Sequence, residues 1–454
     1  MRSHKLFLAI GPLLFLISCW MMSRFENPKA IYSCGVITWM LVWWLSEVVP
    51  MAITALIPIL LFTAGGVMGL EDCLTSYSDR YVFLFLGGFI LALAIEKWEL
   101  HHFFAQWILS KTGNDAKGIL GGFMLSTYFI SMWISNTATA IMMIPMAMAL
   151  TDSKTHTIPS SIKRSLVLGI AYSASIGGMA TLLGSPPNAA MAGILSKDFN
   201  ISVSFWDWFK WGFPFSIILL TIGYGVLLFF IPKIDLKGIT IQSMTISNSL
   251  DRNQKKVLII FITTATLWIC QNWISSIIGG WFSDTLISLG MAFPLFISWK
   301  NKPLLQWEET QKLPWGILLM FGGGLCLANG FKASGMLDVI SQAFSQHQTV
   351  SFTFCVLLCL TSLGLTALMS NLAMVALFIP IVGSLALQLS ISPILLAIPV
   401  TLASSCDFMF PMSTPPNAIA YSSGHVSAKQ MFGIGVVFNI IALILLVIWM
   451  RAMV

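Results

Sequence analysis

Charge is what this chain has least of. Charged residues make up 9% of its 454 positions against 57% hydrophobic, and the mean hydropathy is +0.85. That balance belongs to a polytopic membrane protein and to no soluble domain. Three long stretches, 118–153, 165–196 and 351–428, hold no Lys or Arg at all. The six histidines, His4, His101, His102, His156, His347 and His425, have no paired helical spacing, which argues against a metal centre. No Walker loop is present, which argues against a primary pump. The eight cysteines fall mostly in apolar runs, and Cys355 and Cys359 read as small buried hydrophobes. The net charge of +6 resides in short loops, so it reports orientation and not nucleic-acid binding.

What the chain does have is a duplication. SNTATAIMMIPM at 135–146 returns as SNLAMVALFIPI at 370–381. Gly87 to Asn136 and Gly322 to Asn371 both span 49 residues, so these landmarks repeat at an offset of 235. Downstream, GSPPNA at 184–189 returns as STPPNA at 413–418, where the offset has slipped to 229. Corresponding interrupted segments in two halves of a membrane protein point to a transport site near the bilayer midplane.

Each crossing needs roughly 20 apolar residues. The reading is an all-α polytopic protein of about 11 transmembrane helices and two re-entrant hairpins, in two inverted repeats. Residues 1–29 form an N-terminal helix and loop, since no small-residue cleavage site follows the first apolar run. The first repeat, 30–231, has helices over 30–97, with one span at 51–70. It continues with an interface helix at 98–111, a hairpin at 117–150, a helix broken at Gly184–Asn188 within 164–197, and a helix at 205–231. A cytoplasmic linker at 232–256 leads to the second repeat, 257–454. There the helices cover 257–330, an interface stretch 331–345, the hairpin 350–390, the broken helix 393–424 and a last helix 429–450. Counted on this topology with the N-terminus inside, 17 Lys and Arg lie inside and 7 outside. The bias puts the N-terminus in the cytoplasm and the C-terminus outside.

A helix broken inside the bilayer turns freed N–H groups and its positive dipole end toward a cavity, where they can hold an anion; freed carbonyls can hold a cation. Asn136 and Asn371 add amide donors, and Thr137 and Ser185 add hydroxyls. A dianion in segments without Lys or Arg has no fixed positive partner, and burying uncompensated charge is expensive. A bound cation is the natural remedy.

The paired Ser-Asn and PPN motifs, with WWLSEVVPMAITALIP at 43–58, FLFLGGFILALAIEKW at 83–98, LPWGILLMFGGG at 313–324 and FMFPMSTPPNAI at 408–419, resemble the divalent anion:sodium symporters over nearly the whole chain. The resemblance implies a scaffold domain and a transport domain, an elevator-type motion, a homodimer in membrane lipid, and no cofactor other than sodium as co-substrate. It implies a small divalent anion as substrate, a C4-dicarboxylate such as succinate, malate or fumarate foremost, lined by Asn136, Thr137, Ser185, Asn371, Leu372 and Pro415. One sodium would lie among Ser131, Ser135, Asn136 and Gly184, the other among Thr366, Met369, Asn371 and Ser413, with Met369 offering its carbonyl.

Two residues depart from the duplication or from apolar expectation. Leu372 stands where the first copy has Thr137, and either projects toward the substrate or packs. Asp407 is an acid in an otherwise apolar run, read as lying on a helix about 10 Å before Thr414. It is a candidate cation or proton site, against a neutral structural acid. Sodium-independent exchange, or sulfate or citrate as substrate, are the alternatives on the same fold. An intramembrane enzyme is disfavoured because Ser135 and Ser370 have no base nearby in sequence. Compact loops suggest a bacterial inner membrane.

Overall fold

The computed structural model describes residues 2–21, 27–113, 115–151, 158–232, 250–279, 281–298, 302–336, 352–367 and 369–453. Regular structure among them is helical, with no strand. The chain opens with α1 (Arg2–Met21) and α2 (Pro28–Ser46), which pack on each other. The span expected over 51–70 is instead α3 (Met51–Thr54) and α4 (Ile57–Ala64), interrupted at Ala55–Leu56. The Ala55 carbonyl that the break frees accepts from the Tyr77 hydroxyl. Gly323 packs on the same residue so closely that its Cβ would stand 2.7 Å from that of Ala55, which explains a glycine there.

Next come α5 (Leu70–Tyr77), α6 (Arg80–Lys97) and α7 (Leu100–Thr112). Between the last two, Glu99 takes a left-handed conformation with φ of 53° that swings the chain from α6 into α7. Trp107 on α7 is exposed while Leu100, His101 and Ala105 are buried.

The first hairpin segment is α8 (Ala116–Ser131) and α9 (Asn136–Thr151), parted by residues 132–135. The first broken helix is α10 (Ser160–Ala180) and α11 (Pro186–Phe199), and α12 (Phe205–Phe229) follows. The second half runs through α13 (Arg252–Ile278), α14 (Asp284–Phe296), a 3-10 turn at Trp307–Lys312 and α15 (Trp315–Ala333). The linker expected over 232–256 is therefore shorter, because α13 begins at Arg252. Asp251 Oδ1 accepts from Gln254 N at 2.6 Å and Gln254 Oε1 from Asp251 N at 3.0 Å, a reciprocal cap that fixes the start. Positions 233–249 of that linker, and 337–345 of the expected interface stretch, lie outside the described residues.

Then come α16 (Phe352–Thr366) and α17 (Asn371–Gln388), the second hairpin segment, and α18 (Pro393–Ser404) and α19 (Pro415–Ser422), the second broken helix. The last helix is α20 (Ala428–Met453). Among the described residues six helices are long and apolar enough to cross a membrane; the hairpin arm Asn136–Thr151, Phe352–Thr366 and Pro393–Ser404 are apolar but shorter. Arms this short are what interrupted segments should look like.

Packing crosses between the halves. The hairpin arm α9 lies against α19, and the arm α17 lies against α11. From α10, the Tyr172 hydroxyl donates to the Phe408 carbonyl at 2.9 Å, and its ring meets those of Phe408 and Phe438. Both hairpin turns and both broken helices are thereby joined in one cluster.

Candidate functional site

Four helices begin within this cluster, α9, α11, α17 and α19, each opening at a motif the duplication picks out. Two of them start with Pro at the first helical position, where the missing N–H would have had no partner anyway. Ser135 Oγ accepts from Ala138 N at 3.2 Å, and Ser370 Oγ accepts from Ala373 N at 3.3 Å, so each Ser-Asn motif begins with a capping serine. All four positive dipole ends lie in segments that lack Lys and Arg.

Two further groups sit at helix C-terminal ends. In the first copy Ser131 Oγ lies 2.7 Å from Asn136 Oδ1 and 2.7 Å from the Ala174 carbonyl. In the second, Thr366 Oγ1 lies 2.8 Å from Asn371 Oδ1 and 2.6 Å from the Ser404 carbonyl. Each hydroxyl has one proton and faces two acceptors. Each group thus presents more oxygen lone pairs than it has hydrogens to fill, the environment a small hard cation takes.

The rest of the candidate residues divide by place. Gly184 donates its N–H to Thr181 Oγ1 at 2.9 Å and packs on Gly178, the residue beside the Asn136 amide. Thr137 is partly exposed, Ser185 is buried and Pro415 is exposed. Met369 donates its N–H to the Leu365 carbonyl at 3.0 Å. Ser413 Oγ donates to the Phe410 carbonyl at 2.7 Å, within its own loop. Leu372 is 6% exposed and lies among the apolar core residues.

Asp407 is not on a helix, contrary to the sequence reading. α18 stops at Ser404, and the ten residues 405–414 are irregular. Side chains take over the main-chain groups that a helix would have satisfied: Asn439 Oδ1 accepts from Phe408 N at 3.2 Å, Tyr172 serves the Phe408 carbonyl, and Asn417 Nδ2 donates to the carbonyls of Asp407 at 3.0 Å and Phe410 at 3.2 Å. The first break is held the same way, with Asn188 Nδ2 donating to Gly178 O at 2.9 Å and Thr181 O at 2.8 Å. Buried main-chain groups need such partners. The roles of Asn188, Asn417 and Tyr172 were not assigned from sequence. The two asparagines stand inside the PPN motifs, so a signal was present for them; Tyr172 is a lone polar tip in an apolar run and left none.

Comparisons with known proteins identify the family and the fold. A family model described as a citrate transporter matches residues 41–382. The sodium-dependent dicarboxylate transporter SdcS of Staphylococcus saprophyticus is 33% identical over 97% of this chain and 89% of its own length. The protein of that name from Staphylococcus aureus is 34% identical with the same coverage. Two solved structures share the fold at 12% identity. The YdaH transporter of Alcanivorax borkumensis has a TM-score of 0.55, covering 84% of this chain and 86% of that one. MtrF of Neisseria gonorrhoeae has a TM-score of 0.56, covering 86% and 85%. This chain is therefore an integral membrane transporter and not an enzyme, and it belongs to the citrate-transporter family of divalent anion:sodium symporters.

Proposed function

We propose that this protein is a secondary symporter that couples sodium to the uptake of a C4-dicarboxylate such as succinate, malate or fumarate. The observation that carries the reading is the pair of oxygen groups, Ser131–Asn136–Ala174 and Thr366–Asn371–Ser404, each with one hydrogen for two acceptors. Sodium at each would supply the positive charge that segments 118–153, 165–196 and 351–428 lack. The relatives named as sodium-dependent dicarboxylate transporters support the same assignment.

In this reading Asn136 Oδ1 and Asn371 Oδ1 face the ions and their amide nitrogens face the anion. The N-termini of α9, α11, α17 and α19 complete the anion's surroundings, with Thr137 and Ser185 binding one carboxylate. Ser135, Gly184, Met369 and Ser413 would add oxygens to the ion sites, and Pro415 would line the substrate. The helices of 30–97 and 257–330 would be the scaffold. The hairpins and broken helices would move as an elevator in each subunit of a homodimer, in a bacterial inner membrane with the N-terminus cytoplasmic and the C-terminus periplasmic.

The test is uptake of radiolabelled succinate into proteoliposomes with and without an inward sodium gradient, with unlabelled malate, citrate and sulfate as competitors. Sodium-driven accumulation competed by malate supports the reading. Counterflow without sodium would replace it by exchange. Competition by citrate over malate would favour the larger anion, a second reading to which the citrate-transporter family model lends weight.

A further inference from the structure

Asp407 occupies the position in the second copy that Gly178 occupies in the first. The two are 229 residues apart, the offset of the PPN motifs, and their carbonyls play one role: Asn188 Nδ2 donates to Gly178 O at 2.9 Å, and Asn417 Nδ2 donates to Asp407 O at 3.0 Å. At Gly178 a Cβ would point at the Asn136 amide, 2.5 Å from Oδ1 and 2.8 Å from Nδ2. The first copy therefore has no side chain at this position. The second has a carboxylate.

That carboxylate is 0% exposed, and neither of its oxygens has a hydrogen-bond partner. Ser413 stands beside it. The Ser413 hydroxyl has one proton for two acceptors, the Phe410 carbonyl at 2.7 Å and Asp407, so it cannot satisfy both. Tyr172 and Cys406, its other polar neighbours, bring no positive charge. No Lys or Arg lies in 165–196 or 351–428, and on the last helix, which packs on Phe408 through Asn439 and Phe438, the basic residues are Lys429 and Arg451 near its two ends. An unpaired buried carboxylate facing a second oxygen is not stable as it stands. A cation between them removes both problems.

We infer that Asp407 is a fixed anionic ligand for an alkali cation, shared with the Ser413 hydroxyl, in a site of the second repeat that has no counterpart in the first. The inference rests on the sodium-coupled reading above and deepens it, since the second repeat then holds one cation more than the first. This added site carries its own negative charge and binds sodium before the substrate arrives. Its carboxylate adds one negative charge to the loaded transporter, which one cation beyond a symmetrical pair would balance.

The experiment is a sodium titration of thermal stability on the purified full chain without substrate, at constant ionic strength with choline, for the wild type, Asp407→Asn, Asp407→Glu and Asp407→Gly. Asparagine is the discriminating change. A protonated aspartic acid would donate to Ser413, and the asparagine amide can do the same, so a neutral structural acid predicts an unchanged sodium response. A ligand carboxylate predicts that the half-saturating sodium concentration rises by about tenfold or more in Asp407→Asn, as for other metal-site losses, with Asp407→Glu retaining part of the affinity. A wild-type sodium response reproduced unchanged by Asp407→Asn overturns the inference and leaves the symporter reading intact. No stabilisation of the wild type by sodium over choline overturns the symporter reading as well. Should Asp407→Gly not fold, the ratio of 22Na to succinate taken up by Asp407→Asn vesicles decides: a ratio lower by one sodium supports the site, and an equal ratio overturns it.

Discussion

Asn188 and Asn417 perform the same task 229 residues apart: each amide nitrogen donates to two main-chain oxygens of the break before its own helix, Gly178 and Thr181 in one case, Asp407 and Phe410 in the other. Both side chains are fully buried. Asn188→Ala strands two carbonyls away from water, which costs about 2–4 kcal/mol. The expected outcome is a clear fall in the melting temperature of the detergent-purified protein, with Asn417→Ala behaving alike; stability unchanged in both would show that water replaces the amides.

Gly178→Ala should act at a distance from the fold's main contacts. The new methyl would stand 2.5 Å from Asn136 Oδ1 and must displace that amide. Sodium-dependent uptake is expected to fall at least tenfold while the protein remains folded, because it is Asn136 that moves. Uptake at the wild-type level would remove Asn136 from the ion site.

Ser131→Ala and Thr366→Val remove the hydroxyls that anchor the two oxygen groups. Each is expected to raise the half-saturating sodium concentration for succinate uptake by about tenfold. If only one variant shifts, only one group is an ion site.

Thr137→Leu and Leu372→Thr exchange the residues that follow the Ser-Asn pair in the two copies. Thr137 is partly exposed and Leu372 is packed, so the two changes should have different signatures. Thr137→Leu should raise the KM for succinate. Leu372→Thr buries a hydroxyl among apolar neighbours and should lower stability by about 1–3 kcal/mol without changing the competition by malate, citrate and sulfate. A switch toward sulfate in Leu372→Thr would put that side chain in the substrate site.

His101 on α7 gives a pH dependence. Burial, and then the neighbouring His102, push its pKa down from 6.5 to about 4. The folded state holds the neutral ring while the unfolded chain takes up a proton, so stability is retained above pH 6.5 and lost as pH falls toward 4. The loss reaches about 3 kcal/mol at the lower end. Melting curves of His101→Phe between those limits should be flatter than those of the wild type.

What was legible in the sequence was what repeats or what hydropathy records. The spacing of Gly87 to Asn136 and Gly322 to Asn371 picked out the Ser-Asn motifs, and consecutive prolines at 186–187 and 415–416 marked the two breaks, at which α11 and α19 begin. Hydropathy could not reveal the break at Ala55–Leu56, because the freed carbonyl is bonded by Tyr77 from another helix and no polar residue is needed in the break itself. The early end of α18 was hidden for the same reason: Asn439 and Tyr172, remote in sequence, hold the unwound stretch at Phe408. A run apolar enough to be a helix reads as one until its long-range partners are known.

The contact of Tyr172 with Phe408 has a consequence for selectivity. It ties the tenth helix to the irregular loop of the other copy, with Phe438 wedged against both rings. Two halves clamped in this way keep their separation. In a symporter of the proposed kind that fixed separation would act as a calliper, accepting dicarboxylates whose length matches it and leaving shorter or longer ones held at one end only.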